Sequence, residues 1–183
     1  MPAAIQQSQM ESDRLSAIKT IDSEIRAIEE LKKSLDAESL TKALDFMQNS
    51  TGRIIITGMG KSGHIGKKIA ASLASTGTPS FFVHPAEASH GDLGMITDDD
   101  VVIAISNSGE SRELIDILNY CKRFGIKLIA ITKNQDSSLG KAGDVVLLLP
   151  NNGEACPLGL APTSSTTATL VLGDILTIRM IER

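Results

Sequence analysis

Three short segments carry the residues whose types and spacing could do chemistry. Gly58–His64 reads GMGKSGH, Ser106–Ser111 reads SNSGES, and Glu154–Thr167 reads EACPLGLAPTSSTT. Glycines let the backbone approach an anion, while serine hydroxyls and helix-terminal N–H groups donate to phosphate oxygens. A carboxylate in a partly dry cleft can serve as a base if burial raises its pKa. Together the three segments predict a site for a phosphorylated small molecule.

Each segment also has a simpler explanation as the start of a helix. Serines commonly cap helices, but the three serines of the SNSGES segment exceed what one cap requires. The glycines of Gly58–Gly63 resemble a dinucleotide fingerprint, which is a weak signal alone, and the P-loop pattern is not met. The hydroxyl residues from Thr163 onward are typical of a helix N-terminus.

The elements that must position these segments begin beyond residue 49, where short apolar runs alternate with helical stretches. Strands that are apolar on both faces predict an α/β fold with a parallel sheet covered on both sides. In the common doubly wound order 2-1-3-4-5, strands 1 and 3 flank the switch point and bring the glycine and serine segments side by side. The predicted strands are Ile54–Thr57, Phe81–His84, Val101–Ile105, Leu128–Thr132 and Val145–Leu149.

Two amphipathic helices should precede the sheet as a helical hairpin. Apolar residues recur at gaps of three and four from Leu15 to Leu35, and again from Leu40 to Met47. The first helix either covers its own sheet or packs on a partner subunit, and its long stripe favours the partner. Residues 1–9 are polar and are expected to fray. The 183 residues are enough for one core and short for two, so we expect a single domain over 1–183.

Composition excludes several classes of protein. The net charge is −4 without a clustered basic face, which argues against a nucleic-acid partner. No apolar run approaches membrane-spanning length, so no membrane contact is expected. Two cysteines without a disulfide framework favour a cytoplasmic protein. No metal is expected, because the spacing of His84, His90 and Cys156 matches no standard zinc site.

Taken together, the segments resemble the sugar isomerase (SIS) domain, whose serine-rich loop holds a sugar phosphate. The runs FFVHPAEASHGDLGM and GEACPLGLAPTSSTTATLVLGD are similar, more narrowly, to arabinose 5-phosphate isomerases of the Kdo pathway. The resemblance covers roughly residues 12–183. It implies a flavodoxin-like five-stranded sheet, a homotetramer and no cofactor. It also implies interconversion of D-arabinose 5-phosphate and D-ribulose 5-phosphate through an ene-diol, for lipopolysaccharide synthesis in Gram-negative bacteria.

The resemblance further implies the site residues. Three catalytic positions of the family match Lys61, Glu113 and Glu154, with Glu154 the first choice of base and Lys61 the cation near the oxyanion or phosphate. The fourth, a histidine in a Ser-His-Pro-Gly-Gly stretch, and a pair of CBS domains have no match before Arg183. We therefore expect a shortened form that binds better than it turns over, with His90 as the remaining candidate for ring opening. The expected substrate-binding residues are Gly60, Ser62, Ser106, Asn107, Ser108, Ser111, Thr163 and Ser164.

Three other functions stay open at this point. SIS domains also occur in regulators that only bind sugar phosphates, although these usually carry a DNA-binding helix-turn-helix, which the acidic N-terminal region does not resemble. An isomerase of the same fold could act on a hexulose 6-phosphate. A purely structural oligomerisation module would leave Lys61, Glu113 and the serine segment unexplained, although Lys61 alone could be a solvated charge and Glu113 could simply complement a helix dipole.

Overall fold

A five-stranded parallel sheet in the order β2-β1-β3-β4-β5 lies at the centre of the molecule. The computed structural model describes residues 3–183, with side chains from residue 7. The predicted α/β class and strand order are confirmed. The strands are β1 Ile54–Gly58, β2 Ser80–Phe82, β3 Val101–Ile105, β4 Lys127–Thr132 and β5 Val145–Leu148.

Helices connect the strands and cover both faces of the sheet. In the described residues, α1 begins at Ala3. The expectation that the chain frays up to residue 9 is therefore wrong for residues 3–9. Residues 1–2 lie outside the described part. Two 3₁₀ helices, Asp92–Met95 and Arg112–Leu114, supplement the α-helices. The α-helices are α1 Ala3–Ser34, α2 Ala37–Gln48, α3 Gly60–Ser75, α4 Pro85–Ala88, α5 Ile115–Phe124, α6 Ser138–Ala142 and α7 Ser164–Glu182.

The central strands are buried along their whole length. Every residue of β1 and of β3 is buried, as expected for a parallel sheet covered on both faces. Their register pairs Ile54 with Val101 and continues without a bulge to Gly58 and Ile105. The two strands therefore end at the same level, and the loops that follow them start side by side.

The two faces of the sheet have separate apolar cores. On one face, Ile56 and Ile103 belong to a cluster with residues of α2, α3 and α7. On the other face, Val102 and Ala130 belong to a cluster with residues of α5 and with Leu139 of α6. Burial of Ile56, Val102 and Ile103 contributes about 1.5–3 kcal/mol each, and burial of such side chains fixes the helices on the sheet.

The two predicted N-terminal helices are confirmed, and only part of the first is covered. Ala27 and Leu31, near the end of α1, are buried in contact with the rest of the domain. The end of α1 and all of α2 therefore cover the chain's own fold. The earlier apolar stripe of α1 remains solvent-exposed at Met10, Leu15, Ile18, Ile21, Ile25 and Ile28.

An ion pair between a buried carboxylate and a partly exposed arginine lies at the amino edge of the sheet. Asp100 is 2% exposed and accepts hydrogen bonds from Arg53 Nε at 3.1 Å and from Arg53 Nη2 at 3.0 Å. The backbone N–H groups of Arg53 and Thr97 also donate to this carboxylate, at 2.7 and 2.8 Å. Burial opposes the charge of Asp100, but these donors outweigh it and hold its pKa below the ordinary value.

Candidate active site

The glycine loop between β1 and α3 is packed too tightly for side chains. A Cβ on Gly58 would lie 2.9 Å from the carbonyl oxygen of Ile105, and a Cβ on Gly63 would lie 2.5 Å from that of Gly58. Gly60, with φ +57°, is the first residue of α3 and adopts a conformation that other residues rarely take. The loop thus brings free backbone N–H groups to the carboxyl edge of the sheet, beside the end of β3.

The glycine loop meets only one of the two sequence requirements of a dinucleotide site. Gly58, Gly60 and Gly63 do have the spacing G-x-G-x-x-G. That fingerprint also needs an acidic residue about 20 positions further on to bind a ribose hydroxyl. No Asp or Glu occurs between Arg53 and Glu87, which is exposed in α4. The loop is therefore suited to a phosphate, with no partner for a dinucleotide ribose.

Lys61 and Ser62 occupy the first turn of α3, directly after Gly60. Lys61 is exposed, and no carboxylate among the described residues pairs with it. Ser62 is half-buried. A free ammonium group beside a helix N-terminus adds to the positive potential there, which is the field that a phosphate or a developing oxyanion requires.

Some hydroxyl groups of the serine loop after β3 form hydrogen bonds within the loop. Ser106 is buried; its Oγ lies 2.8 Å from Ser111 Oγ and accepts from the N–H of Gly109 at 3.1 Å. Ser108 is exposed, and its Oγ accepts from the N–H of Glu110 at 3.2 Å. The capping interpretation is therefore correct for part of the loop, and Ser108 and Ser111 remain the accessible hydroxyls.

A second loop, between β4 and α6, braces the serine loop. The N–H of Leu139 donates to the carbonyl of Gly109 at 3.0 Å. The Glu110 carboxylate accepts from the N–H and the Oγ of Ser138 at 2.9 and 2.7 Å. These bonds from Ser138 hold the pKa of Glu110 below its ordinary value. A Cβ on Gly109 would lie 1.9 Å from Ser137 Oγ, so the two loops fit only with glycine there.

Glu154 is anchored at the N-terminus of α7. Its Oε2 accepts from the N–H of Thr163 at 2.7 Å, from Thr163 Oγ1 at 3.2 Å and from the N–H of Ser165 at 3.2 Å. No described residue donates to its Oε1. Burial opposes ionisation of Glu154, but the bonds from Ser165 and Thr163 outweigh it and lower the pKa. The condition stated from sequence, that burial should raise the pKa of the base, is therefore not met by Glu154, because its hydrogen bonds outweigh the effect of burial.

A pocket of about 260 Å³ lies against Glu154, at the ends of β3, β4 and β5. Asn107 from the serine loop, Lys133 from the end of β4, Glu154 and Ser165 all contribute to its wall. The Oδ1 of Asn107 is buried without a hydrogen-bond partner among the described residues, so it can accept a bond from a bound hydroxyl. The remaining lining residues are Pro150, Asn151, Asn152, Gly153 and Gly159.

Of the predicted site residues, Asn107 and Glu154 line this pocket, and Glu113, His90 and Ser164 are not among its lining residues. Glu113 is exposed in the 3₁₀ helix Arg112–Leu114, and His90 is exposed after α4. Ser164 is fully buried, and its Oγ lies 3.2 Å from Ser23 Oγ of α1, so its hydroxyl is directed away from the pocket. Three larger cavities, of about 640, 660 and 630 Å³, lie elsewhere: beside α2 and β5, beside α5, and along the start of α1.

Sequence reasoning did not single out Ser165, Lys133 or Glu110. Ser165 lay within the hydroxyl-rich run, and its helical position two residues after Thr163 would have indicated an N–H donor. Lys133 directly follows a predicted strand, the position where ligands bind in such sheets. Glu110 gave no signal, because its partner Ser138 is 28 residues away in the sequence.

The described residues provide neither a metal cluster nor a membrane-spanning helix. Among residues 7–183, no group of three or more His, Cys, Asp and Glu side chains is placed to hold a metal ion. None of the described helices combines the length and apolar character needed to cross a bilayer. The two cysteines are unpaired.

The parallel sheet, with the glycine and serine loops at its carboxyl edge, defines the class of protein. Residues 47–179 match the family model of the SIS domain, so the chain belongs to the SIS domain family. Within it, the chain is similar to arabinose 5-phosphate isomerases. KdsD of Pseudomonas aeruginosa is 57% identical over 91% of this chain. KpsF of Escherichia coli O6:H1 is 51% identical over 92% of it.

The solved structures agree with this assignment. The c3406 protein of E. coli CFT073, in complex with arabinose 5-phosphate, superposes with a TM-score of 0.88 at 43% identity, covering 93% of this chain and 91% of that one. The curated relatives are longer proteins. This chain spans 51% of the P. aeruginosa KdsD and 51% of the E. coli KpsF, which is about half the length of the relatives it matches.

Proposed function

We propose that this chain interconverts D-arabinose 5-phosphate and D-ribulose 5-phosphate, as an aldose–ketose isomerase of Kdo and lipopolysaccharide biosynthesis. The main support for this proposal is that relatives named arabinose 5-phosphate isomerase share more than half of their aligned residues with this chain. The structural neighbour in complex with arabinose 5-phosphate supports the same substrate.

The reaction moves one proton between neighbouring carbons. A base removes the proton from C2, the electrons of that bond form the C1=C2 bond of the ene-diol, and the carbonyl oxygen on C1 gains a proton. Return of a proton to C1 and loss of the O2 proton give the ketose. We assign Glu154 as the base, because three donors fix its Oε2 while Oε1 has no donor among the described residues.

A lowered pKa is compatible with this role. It keeps Glu154 ionised, and therefore able to accept a proton, throughout the neutral range. The lowered pKa also makes Glu154 a weaker base, so stabilisation of the ene-diolate must offset this weakness. Lys61, a free cation at the start of α3, is the candidate for that stabilisation. Glu113 is the second choice of base, and His90 is the candidate acid–base group for opening the sugar ring.

The phosphate is proposed to lie between the glycine and serine loops. The N–H groups at Gly60 and Ser62 and the hydroxyls of Ser108 and Ser111 are available as donors, whereas the buried Ser106 holds Ser111 in place. Asn107 is suited to a sugar hydroxyl through its unpartnered Oδ1. Thr163 acts by holding Glu154, and the buried hydroxyl of Ser164 leaves only its backbone for substrate.

We further propose a cytoplasmic homotetramer built from single domains of residues 1–183. The exposed stripe of α1 supports assembly, since Leu15, Ile21 and Ile25 are 50%, 58% and 47% exposed on one long helix. Single exposed apolar residues are common, but a run of them along several turns is typical of an interface. The unpaired cysteines are consistent with a reducing compartment.

The test is turnover of arabinose 5-phosphate, followed in deuterated water. Isomerisation through an ene-diol incorporates solvent deuterium at C1 of ribulose 5-phosphate, which mass spectrometry detects. A hexulose 6-phosphate serves as the competing substrate. Stabilisation of the protein by arabinose 5-phosphate without turnover would favour a sugar-phosphate-binding module. Turnover of the hexulose phosphate alone would favour the related isomerase.

A further inference from the structure

The long helix α1 meets the first turns of α7 through polar side chains. Thr167 Oγ1 donates to Glu24 Oε2 at 2.9 Å, and Ser164 Oγ lies 3.2 Å from Ser23 Oγ. Ser23 and Glu24 are neighbours in α1, while Ser164 and Thr167 are three residues apart and so share one face of α7. Both contacts are at least partly buried, and 143 residues separate Glu24 from Thr167.

Thr167 behaves differently from the other threonines of α7 whose hydroxyl bonds the structure describes. Thr166, Thr169 and Thr177 donate their hydroxyls back to backbone carbonyls of the same region, at 2.7, 2.7 and 2.9 Å. That local bond is the usual choice for a threonine inside a helix. Thr167 instead donates across the interface to the carboxylate of Glu24, so the contact depends on Glu24 being present.

The same turns of α7 hold the proposed base. Glu154 is fixed by the N–H groups of Thr163 and Ser165, which stand immediately before and after Ser164. Thr167 lies one helical turn beyond Thr163, and its N–H donates to the carbonyl of Thr163 at 3.0 Å. A contact that fixes Thr167 therefore also fixes the amides that orient Glu154.

We propose that Glu24 is a positioning residue for Glu154: it holds the first turns of α7, through Thr167, in the place where their amides orient the proposed base. The proposal rests on the isomerase function proposed above. Since Glu24 is on the same helix as the exposed apolar stripe, packing of a second copy on α1 would also stiffen this contact.

The kinetic test compares variants that remove the hydrogen bond with variants that keep it. Glu24→Ala and Thr167→Val should each lower kcat for arabinose 5-phosphate about tenfold with little change in KM, because orientation of the base fails while the phosphate loops are intact. Glu24→Gln and Thr167→Ser keep an acceptor and a donor, and should stay within about threefold of wild type. The double variant Glu24→Ala/Thr167→Val should lose no more than either single variant, because the two side chains form one interaction.

Glu29→Ala is the matched control, because Glu29 is an exposed carboxylate of α1 that forms no hydrogen bond or ion pair among the described residues. It should leave kcat unchanged. Full activity of both Glu24→Ala and Thr167→Val would overturn the proposal. An equal loss in Glu24→Gln and Thr167→Ser would also overturn it, since the hydrogen bond would then not be the cause.

A second measurement does not depend on turnover. Hydrogen–deuterium exchange of the peptide covering residues 154–170 reports the amides that bind Glu154. Its protected amides should exchange about tenfold faster in Glu24→Ala and remain unchanged in Glu29→Ala. Unchanged exchange in Glu24→Ala would overturn the positioning role. Faster exchange combined with a wild type that does not act on arabinose 5-phosphate would support the positioning role and refute the proposed reaction.

Discussion

Replacement of Glu154 by glutamine separates its chemistry from its structural role. Glutamine retains the size of the side chain and one oxygen acceptor for the amides of Thr163 and Ser165, which donate to the glutamate at 2.7 and 3.2 Å. It loses the negative charge, and with it the ability to take a proton from carbon. General-base catalysis is worth about 10²–10⁴-fold. We therefore expect kcat to fall by about that factor, with little change in KM.

The structural cost of the same change is smaller. A hydrogen bond to a charged group contributes about 1.5–3 kcal/mol and a neutral one about 0.5–1.5 kcal/mol. The loss of favourable interaction with the dipole of α7 adds about 0.3–1 kcal/mol. The loss for one such bond together with the dipole is about 1.3–2.5 kcal/mol, which corresponds to a decrease of about 3–10 °C in Tm for a domain of this size. The variant should therefore remain folded at 25 °C, so that lost activity cannot be attributed to unfolding.

The assay is steady-state isomerisation of arabinose 5-phosphate, with thermal unfolding measured on the same samples. Glu113→Gln tests the second choice of base, and Glu29→Gln is the control for loss of one carboxylate. Retention of kcat within about threefold in Glu154→Gln would refute the assignment of the base, because loss of a general base costs far more than that.

The pH dependence gives an independent check with a definite sign. The folded pKa of Glu154 is lowered, so the carboxylate stays ionised to lower pH than an ordinary glutamate. The acid limb of kcat/KM, which reports the free enzyme, should lie below about 4.3, the ordinary value for glutamate. The substrate phosphate itself ionises near pH 6, so its titration is measured separately and divided out. An acid limb near pH 6 that remains after this correction would contradict the anchored geometry.

Three further predictions concern the fold and the assembly. Asp100→Asn should lower stability by about 2–3 kcal/mol, less than for a fully buried pair because the Arg53 side chain is 40% exposed. Because the folded pKa of Asp100 is lowered, its stabilisation is present above the unfolded pKa near 3.9 and is lost as pH falls through the folded value, which urea unfolding at several pH values can follow. Gly63→Ala should lower kcat/KM about tenfold or more, because its Cβ would lie 2.5 Å from the Gly58 carbonyl oxygen and displace the glycine loop; unaltered kinetics would contradict this packing. Ile25→Lys should leave the fold intact but dissociate the proposed oligomer in analytical ultracentrifugation, since each buried isoleucine contributes about 1.5–3 kcal/mol per copy; an unchanged sedimentation coefficient would place the interface elsewhere.

Local sequence determined most of the architecture. Runs such as Val101–Ile105, apolar at every position, indicate strands covered on both faces, and their alternation with helices requires a parallel sheet. The strand order followed from the common doubly wound topology. Glycine and serine loops at strand ends then predicted where an anion would bind, because the ends of parallel strands meet at one edge.

Long-range contacts decided what the sequence left open. The sequence does not show in which direction the pKa of Glu154 shifts, and the structure lowers it, since the fold of a loop brings the donors Thr163 and Ser165 to Oε2. Ser164 was expected to bind substrate because it lies in the hydroxyl-rich run after Pro162, but Ser23 of α1 contacts its hydroxyl. The partner of Glu24 lies 143 residues away and has no sequence signal. Propensity and periodicity act over a few residues, whereas charge, orientation and hydrogen bonding at a site depend on groups that only tertiary packing brings together.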